Sequence, residues 1–420
     1  MISEGNRASR PVVRGDALLG QIESLASVGL DSGGGRTRLA LSESEKTGRD
    51  LVVRWMKEAG LEVRVDRIGN LFGILRGRDG GLGNALMIGS HIDTVIHAGP
   101  YDGCYGVLSG LAVLRAFREA GVVPPRPLVA AAFTNEEGVR FQPDMMGSLV
   151  AVGGMSLGEV LEITDGQGCT VGDALAAIGY SGGEEPGFLL PTEYLELHVE
   201  QGPRLDAEKK RIGVVEGVQG ISWWRVTIEG KANHAGTTPT KLRHDAGYAA
   251  ARVSLFLREL SLSAGTTLAT VGTIALEPGA VNVIPSKAVF TVDLRDPDGA
   301  KLTEAEKRLA AFLEKTALEE GVGISSEHLV RFEPVVFDRE LVQAVEDAAV
   351  SKGLSSMRLV SGAGHDAQMM ARVCRTAMIF VPSIGGISHS PDEQTSGEDL
   401  LAGTELLLDV VLKRLYRQGE

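Results

Sequence analysis

The sequence predicts an α/β protein. A layered catalytic domain comes in two pieces, residues 1–211 and 332–420, interrupted by an inserted α+β domain over residues 212–331. Three observations carry this. Strand-length apolar runs alternate with helical stretches in the first half, the pattern of an α/β layered domain. A β-α-β-β-α-β order then occupies the middle, which suggests a small ferredoxin-like sandwich. Helices and short apolar strands return afterwards, as in AMIFVP (377–382).

Along the chain, residues 1 to about 13 read as a mobile polar tail. Residues 42–59 have helical spacing, with Leu51, Val52, Trp55 and Met56 on one face. LFGIL (71–75), ALMIG (85–89) and LVAAAF (128–133) are strand-length and punctuated by Gly, Asn or Pro. A helix is predicted over 106–120 between the last two. In the inserted domain, WWRVTI (223–228), TLATVGTIAL (267–276), AVFTVDLR (288–295) and residues 325–332 read as strands. Residues 245–260 and the charged stretch 301–320 read as its helices.

Composition narrows the function. Hydrophobic residues are 43% and charged residues 23% of 420, as in ordinary globular proteins. Lys+Arg 42 against Asp+Glu 55 gives a net charge of −13. That disfavours phosphate backbones and anionic membranes, so neither nucleic acid nor membrane is an expected partner. Cys104, Cys169 and Cys374 lie far apart without a CxxC, which predicts no disulfide framework and a reducing compartment. The N-terminus has no apolar h-region and no apolar run reaches membrane-spanning length. A cytoplasmic enzyme is the expectation.

Polar chemistry gathers at the ends of apolar runs, where α/β folds place ligands. In IGSHIDTV (88–95), His91 and Asp93 face the same way on an extended strand. They fit a metal-bound imidazole oriented by a carboxylate, or a pair closing a strand end. Asp102 in GPYDGCYG (99–106) precedes a helix, as a ligand or as a turn or N-cap residue. Glu136 and Glu137 follow a strand directly in AAAFTNEEGVRF (130–141), and adjacent carboxylates repel unless a cation or proton lies between them. In YLELHVEQGPRL (194–205), alternation sets Glu196, His198 and Glu200 on the face opposite Leu195, Leu197 and Val199. His389 sits in the Gly/Ser loop GGISHSPDE (385–393). Histidines and carboxylates without cysteine suit zinc, manganese, cobalt or nickel. An aspartate bridging two ions about 3.5–4 Å apart is the usual two-metal arrangement for hydrolysis, with one glutamate free as base.

The segments GSHIDTV, GPYDGCYGVLSGL, FTNEEGVRF, LELHVEQGP, GKANHAGTTP, VNVIP, VDLRD, SGAGHDA and GGISHSP closely resemble the signatures of the metal-dependent N-carbamoyl-amino-acid amidohydrolases. That family includes β-ureidopropionases and allantoate amidohydrolases, within the dizinc aminopeptidase- and acylase-like superfamily. The resemblance implies a mixed sheet between helices and two divalent ions per chain. It implies that His91, Asp102 and His198 hold one ion, and that Asp102, Glu137 and His389 hold the other. It implies Glu136 as general base, Asp93 as the orienter of His91, and His234 as an oxyanion donor in cis or from a partner subunit. Gln201, Asn282 and Arg295 would contact substrate, Arg295 gripping a carboxylate, with His365 near them. A guanidinium fork does suit a carboxylate, although Arg295 also fits a pair with Asp293 or Asp296.

The expected reaction is hydrolysis of the carbamoyl C–N bond of an N-carbamoyl-L-amino acid or N-carbamoyl-β-alanine. The alternatives are an allantoate or ureidoglycolate amidohydrolase, and a deacylase or peptidase of the superfamily. The expected substrate is a small ureido compound with a carboxylate. A homodimer built through the inserted domain is expected, the apolar strand 267–276 covering an edge. Because His234, Asn282 and Arg295 share that domain, it is expected to close over the metal site.

Overall fold

The structure, a computed structural model, describes residues 10–78 and 80–416. Of the tail expected over residues 1–13, the first nine lie outside the described residues. The remainder is not free: Pro11 and Val13 are buried, and Arg10 donates to Asp409 Oδ1 at 2.9 Å.

The chain divides into two compact units. One runs to Gly217 and resumes at Phe337; the other is Val218–Val336. The first begins with α1 (Gly15–Ala26), α2 (Glu43–Glu58), β1 (Glu62–Val65), β2 (Leu71–Leu75), β3 (Leu86–His91), α3 (Cys104–Glu119) and β4 (Leu128–Phe133). It continues with α4 (Met146–Ala151), α5 (Leu157–Leu161), α6 (Val171–Ile178), β5 (Glu193–Val199), α7 (Arg204–Ala207) and β6 (Ile212–Val218). The second unit holds β7 (Gly220–Glu229), β8 (Asn233–His234), α8 (Ala246–Ala264), β9 (Leu268–Glu277), β10 (Val283–Ile284), β11 (Lys287–Asp296), α9 (Gly299–Glu320), β12 (Gly323–Phe332) and β13 (Val335–Val336). The first unit then closes with α10 (Arg339–Ser351), β14 (Ser356–Ser361), α11 (Asp366–Met370), β15 (Arg375–Val381) and α12 (Gly397–Leu415).

The sheet of the first unit runs β1-β2-β4-β3-β5-β15-β6, with β14 also on β6. Its centre, β4-β3-β5-β15, is parallel, and antiparallel strands flank it on both sides. It is a mixed α/β sheet. Every residue of β2, β3, β4 and β5 is buried, which is why the apolar runs read as continuous rather than alternating. β5 does alternate, but its polar side does not face water: Glu196 and His198 are buried.

Helix α3 lies against this centre. A Cβ on Gly106 would stand 2.5 Å from the Leu197 carbonyl oxygen and 2.9 Å from Ser90 Cβ. Only glycine permits that approach. The helix starts at Cys104, two residues before the expected position, because Gly103 at φ 64° turns the chain into it. Helix α2 starts where expected, with Ser42 accepting the Glu45 N–H at 3.2 Å.

The second unit is a four-strand antiparallel sheet, β12-β7-β11-β9. Helices α8 and α9 bury residues spaced three and four apart, among them Val253, Leu257, Leu260, Leu302, Leu309 and Leu313. These pack with Val226, Ile228, Phe290, Val292 and Leu294 of the sheet. Strand β11 alternates buried and half-buried along its length, so one face carries the core and the other does not. All three cysteines of the chain are free thiols. No helix among the described residues is long and apolar enough to cross a membrane.

Candidate metal centre

Each central parallel strand of the first unit ends at a polar residue or a loop that carries one. His91 ends β3 and is in register with Phe133, the last residue of β4. Glu136 and Glu137 follow three and four residues later. His198 lies one residue before the end of β5 and pairs with Phe380 of β15. The loop after β15 brings His389. Parallel pairing thus delivers four chain segments to one edge, and the α3 N-terminus adds Asp102 there.

Asp102 is not an N-cap. Gly103 holds that position and no side chain caps the helix. The Asp102 carboxylate instead faces three imidazoles: His198 Nε2 at 3.2 Å, His389 Nε2 at 3.2 Å and His91 Nε2 at 3.6 Å. It also accepts from the Gln201 side-chain N–H at 2.8 Å and the Ser388 hydroxyl at 3.3 Å. Burial alone would raise its pKa, but the three histidines hold it well below the usual range.

The imidazoles are oriented from behind. His91 Nδ1 stands 3.0 Å from the Asp93 carbonyl oxygen, and His198 Nδ1 2.8 Å from the Val199 carbonyl oxygen. With each Nδ1 held by a main-chain carbonyl, it is Nε2 that faces Asp102, the orientation a metal-ligating imidazole needs. The Asp93 carboxylate is 3.7 Å from His91 and instead accepts the Glu136 and Glu137 backbone N–H groups, each at 3.2 Å. Its orienting contact with His91 thus runs through its main chain, while its side chain fixes the two-glutamate loop.

Glu136 Oε2 is 3.4 Å from His91 Nε2, and Glu137 Oε2 is 3.7 Å from His389 Nε2. Burial pushes the Glu136 carboxyl well above its ordinary value and the Glu137 carboxyl to about 8, with neighbouring carboxylates adding to both. His389 is raised to about 9, first by its hydrogen bond to Asp102.

Two trios of ligand atoms lie within 4.8 Å of one another: His91–Asp102–His198 and Asp102–Glu137–His389, with Asp102 common to both. These donors fit divalent ions. They are imidazole nitrogens and carboxylate oxygens crowded together, and Glu137 Oε1 is buried with no hydrogen-bond partner. A third trio, Glu196–His198–His365, is committed elsewhere. Glu196 accepts from Ser90, Tyr194 and the Ala367 N–H at 2.7, 3.1 and 2.8 Å. His365 Nε2 is 2.8 Å from Ser361 Oγ.

Other sequence candidates fall differently. Gln201 sits at φ 57° beside Asp102, with its Oε1 buried and unpartnered. His365, expected among the substrate contacts, is buried with its ring 4.7 Å from that of His198, a supporting position. Glu200, on the polar side of β5 by alternation, turns away and accepts the Arg204 and Leu205 N–H groups. In the second unit, His234 is exposed, and its Nδ1 accepts the Gly236 and Thr237 N–H groups at 3.0 and 3.2 Å, which puts the ring proton on Nε2. Asn282 is beside it, its carbonyl accepting the Ala235 N–H at 3.0 Å. Arg295 forks onto Asp293, Nε at 3.0 Å and Nη2 at 2.8 Å. It pairs across strands with Ile221 and Leu268, eight residues along β11 from Lys287, or about 27 Å. The sheet therefore sets Arg295 at the end opposite that from which His234 and Asn282 are reached. Sequence reasoning missed Glu393, a buried carboxylate in the His389 loop that accepts the Tyr101 N–H at 2.8 Å. Its acid four residues after His389 was the available signal.

The sequence profile of peptidase family M20/M25/M40 matches residues 87–413. The chain belongs to this family. Within it, the chain is 41% identical over 404 residues to an N-carbamoyl-L-amino-acid amidohydrolase of Rhizobium meliloti, covering 96% of both sequences. It is 37% identical to an allantoate amidohydrolase of Bacillus subtilis, covering 94% of this chain and 96% of that one. Among solved structures, a hydantoinase/carbamoylase family amidase from Burkholderia multivorans superposes with a TM-score of 0.94 at 40% identity, covering 97% of this chain and 99% of that one. The resemblance read from nine sequence segments is borne out.

Proposed function

We propose that this M20-family chain is a metal-dependent amidohydrolase that cleaves the carbamoyl C–N bond of N-carbamoyl-L-amino acids or N-carbamoyl-β-alanine. One water is consumed, and the amino acid, ammonia and carbon dioxide are released. The observation that carries this reading is Asp102 shared by two donor trios, with Glu136 left over beside them. A protein that only bound metal would have no use for that spare carboxylate. His91, Asp102 and His198 would hold one divalent ion, and Asp102, Glu137 and His389 a second, as zinc or as manganese, cobalt or nickel. When bound, such ions polarise a carbonyl and lower the pKa of water toward neutrality. Glu136 would accept the proton of the attacking water and return it to the departing nitrogen. Asp93 would keep Glu136 and His91 in place. Gln201 offers its unpartnered Oε1 to a substrate N–H. His234 would donate its Nε2–H to the substrate oxygen as negative charge grows there. Asn282 and Arg295 would bind the rest of the substrate, Arg295 taking the carboxylate from Asp293.

We place the dimer interface on the second unit, which would then serve as both dimerisation and lid domain. Strand β9 is an edge strand with Ile274 and Leu276 exposed. On α8, Tyr248, Leu255 and Leu262 recur every seven residues and are 55–78% exposed. An apolar edge and stripe of this kind call for a partner surface. The distance between Arg295 and the His234–Asn282 pair favours a site to which two copies contribute.

Ammonia release from a panel of N-carbamoyl-L-amino acids, N-carbamoyl-β-alanine, allantoate and ureidoglycolate tests the reading, with chelator and with each metal restored. Activity on a carbamoyl acid that chelator abolishes is expected. Preference for allantoate would establish the second reading, which the 37% identical relative favours. Hydrolysis of simple amides with none of the ureido compounds turned over would overturn both.

A further inference from the structure

The two metal-site segments that meet at Asp102 and His389 are far apart in sequence, and a single carboxylate ties them. Glu393 Oε2 accepts the Tyr101 N–H at 2.8 Å and stands 3.4 Å from the Asp102 backbone nitrogen. Its Oε1 accepts the Ser388 hydroxyl at 3.2 Å, and that hydroxyl also stands 3.3 Å from Asp102 Oδ2. Glu393 therefore touches the main chain of the shared aspartate and the residue next to His389, and Ser388 links its side chain to that of Asp102. The approach is close: a Cβ on Gly99 would stand 2.3 Å from Glu393 Cβ. Nothing bulkier than glycine leaves the carboxylate room there. Glu393 itself is 2% exposed, so the Tyr101 and Asp102 N–H groups lose a buried acceptor when it is removed.

We propose that Glu393 is a positioning residue of the metal centre: it fixes the Asp102 peptide against the His389 loop, so that one carboxylate stands between both ligand trios. This rests on the two-ion reading above. Groups that hold a ligand from behind commonly govern metal affinity by about 10–100-fold. A residue that only supported the fold would change stability and leave affinity alone.

The test is zinc titration of the chelator-stripped, full-length protein by competition with a chromophoric chelator, with thermal unfolding of the stripped protein alongside. Glu393→Ala should weaken zinc binding about 10–100-fold. Glu393→Gln should stay near the native affinity, because its amide oxygen can replace Oε2 toward Tyr101 while its NH2 donates to Ser388. Ser388→Ala keeps the packing and removes the hydroxyl that joins Glu393 Oε1 to Asp102 Oδ2; it should weaken binding by a smaller factor. If Glu393→Ala does not fold, Ser388→Ala decides: weakened binding supports the proposal and native binding overturns it. Native zinc affinity in folded Glu393→Ala, or equal losses in the Ala and Gln variants, also overturns it. A wild-type chain that takes up no zinc removes the two-ion reading itself, an outcome separate from any difference among variants.

Discussion

At the residue scale, the centre is a problem of crowded charge. Asp93, Asp102, Glu136 and Glu137 are all nearly or fully buried within reach of three histidines. Without a cation, protons must do part of the neutralising. His389 is raised to about 9 and Glu137 to about 8. For both groups the folded pKa lies above the unfolded one, so between about pH 6.5 and 9 the folded chain binds more protons than the unfolded chain, and stability falls as pH rises. His365 has the opposite sign, its pKa lowered well below the ordinary value by burial, but its contribution is complete above about pH 6.5. Metal-stripped protein should therefore melt at a lower temperature at pH 9 than at pH 7, and the metal-loaded protein should show a smaller difference. Thermal scans at the two pH values, with and without chelator, check this. Glu136→Gln should keep its metal content and lose about a hundred- to ten-thousand-fold in kcat. Elemental analysis beside steady-state kinetics reads both, and a near-normal kcat would remove Glu136 from the base role.

At the element scale, what matters is how closely α3 sits on the sheet. The turn leading into it carries Asp102 past His91 and His198, and the Gly103 N–H lies 3.0 Å from His198 Nε2. Gly106 sets the height of the helix over β5 and β3. Gly106→Ala places a methyl against the Leu197 carbonyl, which cannot yield as a side chain can. It should destabilise the protein by about 1–3 kcal/mol, the usual penalty for overpacking. Because Asp102 moves with the helix, metal affinity should fall too. Chemical denaturation and zinc titration of the same variant read the two effects.

At the scale of the whole molecule, the question is how many chains make a site. If His234 of one chain serves the metal centre of another, two inactive variants can complement each other. His234→Ala and Glu136→Gln chains, unfolded and refolded together, should regain activity, because a mixed dimer pairs an intact metal centre with an intact His234. Equal inactivity of the mixture and the separate variants would show that His234 acts within its own chain. Ile274→Asp on the β9 edge should shift the protein toward monomer in light scattering at micromolar concentration while circular dichroism stays native. A dimer that survives this change would move the interface elsewhere.

Much of this was legible in one dimension. β2 and β4 end where the apolar runs end, since a strand buried on both faces has no reason to alternate. The candidates His91, Asp102, Glu136, Glu137 and His389 could be picked out because each follows an apolar run or stands in a glycine-rich turn, and His198 because strand alternation sets it among carboxylates. What sequence could not give was distance. Nothing local says that the Glu393 carboxylate returns to the peptide of Asp102, or that the Asp93 side chain serves the Glu136 loop while its carbonyl serves His91. Nor could it say that β11 carries Arg295 away from the end where His234 and Asn282 sit. The chain by itself determined which residues were polar at the ends of buried strands, because burial and alternation are written in neighbouring residues. Strand order, register and the close seat of α3 decided which of those residues meet, because contacts between segments hundreds of residues apart depend on pairing that no short stretch encodes.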